Sequence, residues 1–278
     1  MEIKYKIKKI YDNAYRITDF GLGLTKVFLY LLVGSERALL IDSGYGDLDL
    51  KKICASITDK EVICACTHGH VDHALGAYQF QKAYLSRKDF IVYQTHSSPE
   101  NIKRFFYEGI GLKPDEKVTS DPEYKKTVEA MAFSAHRQLL PLDGMPFFDL
   151  GDRRVNLIAV PGHTAGGISF IDEKYHVAFD GDGAPNGVWL FLEESSSMTS
   201  FKEEMEKYYA YLKAHQIRKR YTGHLPFAVH PRDVRKLALA AQKIIEGKKP
   251  LKTISMVGME ASIVFSHGNF IFYNKNHL

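Results

Sequence analysis

Residues 67–73 read Thr67-His68-Gly69-His70-Val71-Asp72-His73, and they follow directly after the apolar run Val62-Ile63-Cys64-Ala65-Cys66. The apolar run predicts a strand that is covered on both faces, so the histidines would lie in the loop at its end. Imidazoles and carboxylates are costly to bury unless they are paired or bind a metal ion. A lone histidine is more often a satisfied polar residue, but three histidines and an aspartate together favour a metal site.

Three more potential ligands each follow a predicted strand. The strands are predicted at 154–160, 176–180 and 218–222, and the residues that follow them are His163, Asp182 and His224. Side chains at the strand ends of one sheet edge can converge, so we expect them to contribute to the same site. Nitrogen and oxygen ligands without a thiolate suit zinc, with iron or manganese as alternatives.

Strand-rich and helical segments occur in two successive sets along the chain. The other predicted strands are 26–34, 37–43, 82–86 and 167–171, with a hairpin at 261–274; helices are predicted after Ser98, Asp121, Ser200 and Pro231. Residues 90–145 are interpreted as a helical insertion with an apolar stripe at Tyr124, Val128, Met131 and Ala135. The pattern fits an α/β fold in which two packed β-sheets carry helices on both outer faces, within a single domain over 1–278.

Composition excludes several classes. With 278 residues, 45% hydrophobic, 25% charged and a net charge of +4, the chain is ordinary for a globular protein. Its densest basic run, Arg218-Lys219-Arg220, is interpreted as a solvated strand entrance rather than a nucleic-acid patch. Cys54, Cys64 and Cys66 are expected to be core residues rather than disulfide partners or ligands. With no signal peptide and no apolar run long enough to span a membrane, a cytoplasmic protein is expected.

The remaining histidines lie outside any ligand pattern and are interpreted as surface or capping residues: His96, His176, His215, His230, His267 and His277. The pair His136-Arg137 has two interpretations. It could anchor an anionic substrate, or it could be a cation near a helix C-terminus.

The motifs, in their order, resemble those of the metallo-β-lactamase superfamily over about residues 26–230. They are Leu40-Ile41-Asp42-Ser43-Gly44, the string 67–73, Pro161-Gly162-His163-Thr164, Gly181-Asp182 and Gly223-His224. The resemblance implies a four-layer αββα sandwich with a seven-ligand dinuclear site, as in glyoxalase II-like and lactonase-like members. It assigns His68, His70 and His163 to one metal, Asp72, His73 and His224 to a second, and Asp182 as the bridge. It also implies that Asp42 braces the histidine loop by hydrogen bonding.

The implied activity is hydrolysis by two zinc ions per chain. Two metals ~3.5–4 Å apart can share a hydroxide that attacks a carbonyl or phosphoryl centre. Asp72 would also act catalytically, orienting the hydroxide or protonating the leaving group. The expected substrate is a small ester, lactone or thioester; no nucleic-acid or membrane partner is expected, and a homodimer is left open.

Other activities of the same superfamily remain as alternatives. Asp182 disfavours true β-lactamases, most of which lack the bridging aspartate, and Pro185 stands where lactonase-like members place a tyrosine. Glyoxalase II-like members keep all seven ligands, but their C-terminal helical domain is not evident. Flavodiiron-like members have a glutamate at the position of His70. An iron-dependent persulfide dioxygenase and a phosphodiesterase stay open, whereas a non-catalytic scaffold would have lost ligands, and none is lost.

Overall fold

The computed structural model describes residues 5–108, 116–134 and 139–278. The chain divides into two compact units, Met1–Val155 (unit 1) and Asn156–Leu278 (unit 2). Each unit has its own hydrophobic core. The single domain over 1–278 stays a prediction.

The described residues of unit 1 form a seven-stranded sheet in the order β1-β2-β3-β4-β5-β6-β7. The strands are β1 (Tyr5–Tyr11), β2 (Ala14–Asp19), β3 (Val27–Val33), β4 (Arg37–Ile41), β5 (Glu61–Ala65), β6 (Ala83–Leu85) and β7 (Leu140–Pro141). Pairing is antiparallel from β1 to β4 and parallel from β4 to β7. The apolar residues of β3 and β4 are buried because both faces of these central strands are covered, which confirms the predicted strands.

Helices connect the parallel strands of unit 1. They are α1 (Leu50–Ala55), α2 (Val71–Ala74), α3 (Phe90–His96), α4 (Pro99–Glu108), α5 (Glu116–Thr119) and α6 (Pro122–Ser134). Proline at the first position of α4 and α6 suits a helix start, where the missing N–H would have no intrahelical partner. The stripe Tyr124, Val128 and Met131 is buried as predicted, whereas Ala135 lies outside the described residues.

The predicted insertion at 90–145 is helical only as far as Ser134 within the described residues. The chain then forms β7, which pairs with β6, and a further strand, β8 (Phe147–Asp149). A strand of two residues carries no alternating pattern, and Pro141 is tolerated because β7 is the last strand in the sheet order. The helical interpretation of 140–141 was therefore wrong.

Unit 2 contains two sets of strands. One set has the order β13-β11-β10-β9, and a four-stranded sheet has the order β12-β16-β15-β14. The strands are β9 (Arg154–Ala159), β10 (Ile168–Asp172), β11 (Val177–Phe179), β12 (Gly187–Leu190), β13 (Lys219–Tyr221), β14 (Lys252–Met256), β15 (Met259–Ser266) and β16 (Asn269–Tyr273). The hairpin of β15 and β16 confirms the predicted turn at 266–269.

The two helices of unit 2 confirm the predicted amphipathic faces. They are α7 (Met198–Ala214) and α8 (Arg232–Ile245). Their buried residues include Phe201, Met205, Tyr208, Leu212, Val234, Leu237, Ala241 and Ile244, which pack in the core of this unit. None of the helices in the described ranges is long and apolar enough to cross a membrane.

The three cysteines are buried core residues, as predicted, and none forms a disulfide. A hydrogen bond with Cys66, together with burial, raises the pKa of Cys64 well above its usual range. Burial raises the pKa of Cys54 to about 12. Both groups remain thiols near neutral pH, and a metal ligand would have to be a thiolate.

Candidate metal centre

The histidine loop of unit 1 begins where β5 ends, beside the end of β4. The parallel register pairs Ile41 with Ala65, so Asp42 lies next to the start of the loop, and its N–H donates to the Ala65 carbonyl at 3.0 Å. Asp42 has a φ of 63°, a left-handed conformation that aspartate adopts more readily than most residues. Gly69 approaches Asp89 so closely that a Cβ would lie 2.8 Å from its carbonyl oxygen. Glycine is therefore required in the middle of the loop.

The buried carboxylate of Asp42 holds this loop by three hydrogen bonds. It accepts from the Thr67 N–H at 2.7 Å, from the Thr67 hydroxyl at 3.1 Å and from His73 Nδ1 at 2.8 Å. An ionised carboxylate can only accept, so His73 carries its proton on Nδ1 and presents the lone pair of Nε2. A carboxylate that orients a histidine in this way is the usual support of a metal-binding imidazole. The bracing role implied for Asp42 agrees with this geometry.

The tautomer of His68 follows from the same network. The Thr67 hydroxyl gives its hydrogen to Asp42, so at 3.0 Å it accepts from Nδ1 of His68. Nε2 of His68 is then left with a lone pair, and it lies 3.1 Å from Nδ1 of His70. Two nitrogens bound to one tetrahedral zinc ion at ~2.0–2.1 Å would be ~3.3 Å apart. The separation of these two ring nitrogens therefore fits a shared cation.

Asp72 and His73 lie in the short helix α2, directly after His70. Their closest polar atoms, Asp72 Oδ2 and His73 Nε2, are 3.6 Å apart. Because Nε2 presents a lone pair, it faces a carboxylate oxygen across a gap that suits a cation between two acceptors.

The surroundings of Asp72 are acidic. Burial raises the pKa of Asp19 to about 8, and the negative charges of Asp47 and Asp72 add to this rise. Carboxylates that repel one another in a buried region would be stabilised by a bound cation.

Asp182 and His224 form the first part of a second cluster, in unit 2. β11 and β13 are parallel, with Phe179 opposite Tyr221. Asp182 and His224 each lie three residues beyond these paired strand ends, so the register brings them side by side. His224 Nε2 is 3.2 Å from Asp182 Oδ2.

His163 completes this second cluster. Its Nδ1 lies 2.9 Å from the backbone carbonyl of Trp189 and must donate to it, so Nε2 presents the lone pair. Nε2 is 4.0 Å from Asp182 Oδ2. The Ser195 hydroxyl donates to the His163 carbonyl at 2.9 Å and fixes the turn. The ring is thus oriented by one hydrogen bond, at Nδ1, and the backbone of the turn by another.

The seven predicted ligands therefore fall into two clusters. The structure brings His68, His70, Asp72 and His73 together in unit 1, and His163, Asp182 and His224 together in unit 2. Three imidazoles have their tautomer set by hydrogen bonds at Nδ1, which place a lone pair on Nε2: His68, His73 and His163. The donor chemistry in each cluster fits a metal ion with nitrogen and oxygen ligands.

His96 is predicted to be a surface or capping residue, and its side chain does accept from the first N–H of α2, but it also lies against the histidine loop. Its ring is half-buried and stacks on His70, with ring centroids 5.0 Å apart and an interplanar angle of 14°. Its Nδ1 accepts from the Val71 N–H at 3.3 Å, and the ring also contacts Phe105 at a centroid distance of 5.6 Å. The first part of the insertion is thereby attached to the ligand loop. No local pattern in the sequence indicates this contact.

The interpretation of the basic run 218–220 was wrong for one residue. Arg218 and Lys219 are exposed, but Arg220 is fully buried and pairs with Asp180. Side chains alternate between the two faces of a strand, which allows one arginine of the run to point inward.

The pair His136-Arg137 lies outside the described residues.

Residues 22–251 match the family model described as the metallo-beta-lactamase superfamily. The chain belongs to this superfamily. The assignment confirms the predicted α/β fold class, and this superfamily member is accordingly an enzyme of the hydrolase type.

Two curated relatives of this metallo-β-lactamase superfamily member carry activity names. Human acyl-coenzyme A thioesterase MBLAC2 is 25% identical over 197 residues, covering 66% of this chain and 67% of that protein. The hydroxyacylglutathione hydrolase GloC of Haemophilus influenzae is 30% identical over 156 residues, covering 53% of this chain and 61% of that protein.

Solved structures agree on the fold. A metallo-β-lactamase from Pontibacter korlensis has a TM-score of 0.58 at 16% identity, covering 88% of this chain and 100% of that chain. A metallo-β-lactamase family protein from Thermus thermophilus has a TM-score of 0.54 at 20% identity, covering 86% of this chain and 81% of that chain.

Replacing Asp42 by asparagine should weaken both the fold and the histidine loop. The amide NH₂ would face two donors, the Thr67 hydroxyl and Nδ1 of His73. We expect the free energy of unfolding to fall by about 3 kcal/mol, because buried donors lose their acceptor. Metal affinity should fall by ~10–100-fold, the usual effect of losing a carboxylate that supports a ligand. Urea unfolding and chelator competition measure the two effects. The exposed Asp143→Asn, whose carboxylate accepts from the Arg87 N–H, is the control, and a variant of Asp42 that matches it in both measurements would contradict the bracing role.

Proposed function

We propose that this enzyme is a thioester hydrolase that binds two metal ions, predominantly zinc, with seven side chains. His68, His70 and His163 would hold one ion, Asp72, His73 and His224 would hold the other, and Asp182 would contribute to both. The observation that carries the proposal is the presence of two clusters whose imidazoles are already oriented for a cation.

The names of the relatives support a thioester as the substrate class. MBLAC2 is named an acyl-coenzyme A thioesterase and GloC a hydroxyacylglutathione hydrolase. The substrates in the two names differ in the thiol part but share an acyl group bonded to sulfur. A thioester is therefore favoured over the lactones, oxygen esters and phosphodiesters that the sequence alone left open.

The chemistry follows from the site's own residues. Zinc ions bound there would lower the pKa of water toward ~7 and polarise a carbonyl. Asp42 keeps His73 in one tautomer, and the Trp189 carbonyl does the same for His163, so neither imidazole has to reorient during the reaction. Rigid ligands of this kind preorganise the site for the charge that develops on the thioester carbonyl oxygen.

Asp72 is the residue that can move a proton. Its side chain is 18% exposed, whereas that of His73 is fully buried, so Asp72 can exchange with solvent. Hydrolysis adds water across the C–S bond. The water oxygen bonds to the acyl carbon, the C–S bond breaks, and a water proton goes to the leaving sulfur. We propose that Asp72 takes that proton and delivers it.

The test is a substrate panel measured on the protein as purified. It comprises an acyl-coenzyme A, a hydroxyacylglutathione, an aryl lactone and a bis-aryl phosphodiester, with thiol or phenol release followed by absorbance. We expect the two thioesters to be hydrolysed with kcat/KM at least about tenfold above the lactone and phosphodiester, a preference of about 1.4 kcal/mol. Preferred turnover of the lactone or phosphodiester would contradict the thioester assignment, and oxygen consumption on a persulfide would favour the dioxygenase.

The insertion is proposed to shape the substrate pocket through Phe105. Most of its apolar residues pack in the core of unit 1, including Ile102, Phe106, Val128 and Met131, so packing explains most of the stripe. Phe105 differs because it is only partly buried and contacts His96, which stacks on the ligand His70. Apolar walls over a polar centre are typical of small-molecule sites, and such segments can exclude water.

We therefore expect Phe105→Ala to lower kcat/KM for acyl thioesters by about tenfold, since a half-buried ring contributes roughly 1.4 kcal/mol of contact. The matched control is Phe133→Ala, which removes the same ring from an 88% exposed position of the same insertion. Steady-state kinetics over a series of acyl chain lengths would show the effect. Equal kinetics for the two variants would mean that the insertion serves packing alone.

A further inference from the structure

A buried arginine holds both ends of the turn that carries Asp182. Nη1 of Arg220 donates to the carboxylate of Asp180 and, at 3.0 Å, to the carbonyl oxygen of Ala184. Asp182 lies midway between these two anchor points. The side chain of Arg220 therefore contacts both ends of the turn 180–184. Arg220 lies on β13, the strand that also leads to His224.

The rest of the Asp180 carboxylate is also engaged. Its Oδ1 accepts from the Ser169 hydroxyl at 2.6 Å and from the Tyr208 hydroxyl at 2.5 Å, while Oδ2 accepts from Arg220. Burial raises the pKa of Tyr208 well above its usual range, so the phenol keeps the proton that it donates. Asp180 is thus fixed from β10, α7 and β13 at the same time.

The turn is also tied to the neighbouring strand by its backbone. The Asp180 N–H donates to the Tyr221 carbonyl at 2.9 Å, and the Gly223 N–H donates to the Gly181 carbonyl at 2.9 Å. Gly183 packs so tightly that a Cβ there would lie 2.7 Å from Val160. With the main chain and one guanidinium both restraining it, the turn has little freedom to displace Asp182.

Stability alone does not account for a pair of this kind. Arg220 and Asp180 are buried, and removing two charges from water costs much of what their attraction returns. Apolar residues of similar volume often stabilise a core equally well. What they could not replace is the Nη1 group, which donates to two acceptors on opposite sides of Asp182.

We propose that Arg220 and Asp180 are positioning residues. Their hydrogen bonds restrain the turn 180–184 and fix the Asp182 carboxylate relative to His224. The inference rests on the proposed metal-binding role of these two residues. It goes beyond that role because it makes metal affinity depend on a pair that touches neither metal nor substrate.

The test replaces the pair by apolar residues, Asp180→Leu with Arg220→Met, so that no buried charge is left unpaired. We expect the double variant to keep a Tm within about 5 °C of the parent, because the Ser169 and Tyr208 hydroxyls, 2.7 Å apart, can still hydrogen-bond to each other. Its Zn²⁺ affinity in chelator competition should fall by ~10–100-fold, and the visible spectrum of the Co²⁺-substituted protein should change. Parent-like affinity and an unchanged Co²⁺ spectrum would overturn the proposal.

Two further variants keep the proposal falsifiable if the double variant does not fold. Arg220→Lys retains the charge but replaces the planar guanidinium by a compact ammonium on a shorter side chain, and Tyr208→Phe removes one donor to Asp180. Each variant should weaken Zn²⁺ binding severalfold, and Arg220→Lys should have the larger effect. If neither variant weakens Zn²⁺ binding, the positioning role of Arg220 and Asp180 is refuted. The matched control is Arg153→Met, a buried arginine of unit 1 that donates to the carbonyls of Asn13 and Val33. It should leave Zn²⁺ affinity unchanged. These measurements do not depend on thioester turnover. Failure of the proposed positioning role and failure of the thioesterase assignment can therefore be distinguished.

Discussion

Alanine at Asp182 is expected to reduce kcat/KM for thioesters by about 10³-fold while the protein remains folded. The proposed bridge contributes to both metals, and metal ions stabilise the transition state by several kcal/mol, which corresponds to about three powers of ten. The fold should survive because the side chain is 17% exposed and belongs to neither hydrophobic core. The accompanying measurements are steady-state kinetics, elemental analysis and circular dichroism, and the metal content should fall below that of the parent.

Asp233→Ala is the matched control for this substitution. Asp233 is an aspartate of the same unit with 16% side-chain exposure, and it pairs with Lys236 at 2.7 Å in the first turn of α8. Its loss should change stability slightly and leave turnover and metal content unaltered. If the Asp182 variant were as active as the Asp233 variant, the bridging assignment would be wrong.

Asparagine at Asp72 is expected to lower kcat by ~10²–10⁴-fold, the usual contribution of a positioned proton carrier. The amide retains an oxygen that can serve as a ligand but cannot accept and release a proton near neutral pH. Metal content should therefore stay close to the parent value. Asp72→Ala removes the ligand atom as well, so it should lose metal in addition to activity. Rapid-mixing measurements of thiol release, with elemental analysis of both variants, separate the two roles.

The control for Asp72 is Asp49→Asn in the same unit. Asp49 is the N-cap of α1 and accepts from the Lys52 N–H at 3.0 Å, a role that asparagine performs equally well. If Asp72→Asn retained the turnover of this control, Asp72 would be a ligand without a proton-transfer role.

The groups of potential ligands could be predicted wherever the signal was local. Four potential ligands between His68 and His73 are unusual by composition alone, and the buried strand before them places them at a strand end. The same holds for the apolar strands and the two helices of unit 2, whose burial follows from periodicity. Edge strands were missed because they have little burial to create a pattern: β1 alternates lysines with Tyr5 and Ile7 and is largely exposed, and β14 is similar.

The supporting residues were not predictable because their signal is tertiary. His96 is 26 residues beyond His70 in the sequence, and only the packing of α3 stacks the two rings. The sequence assigns Arg220 to a solvated basic run, because it does not show that Asp180 directly follows the adjacent strand β11. Residues that orient the proposed ligands follow no characteristic spacing in the sequence, whereas the proposed ligands do.

The proposed two-metal thioester hydrolase can be tested by a zinc titration of the metal-free protein. The rate of thiol release from an acyl thioester is followed as Zn²⁺ is added in steps to protein at a concentration well above its Kd. We expect no turnover without metal and a rate that rises until two equivalents per chain have been added, then stays constant. A plateau at one equivalent, or a rate indifferent to zinc, would contradict it.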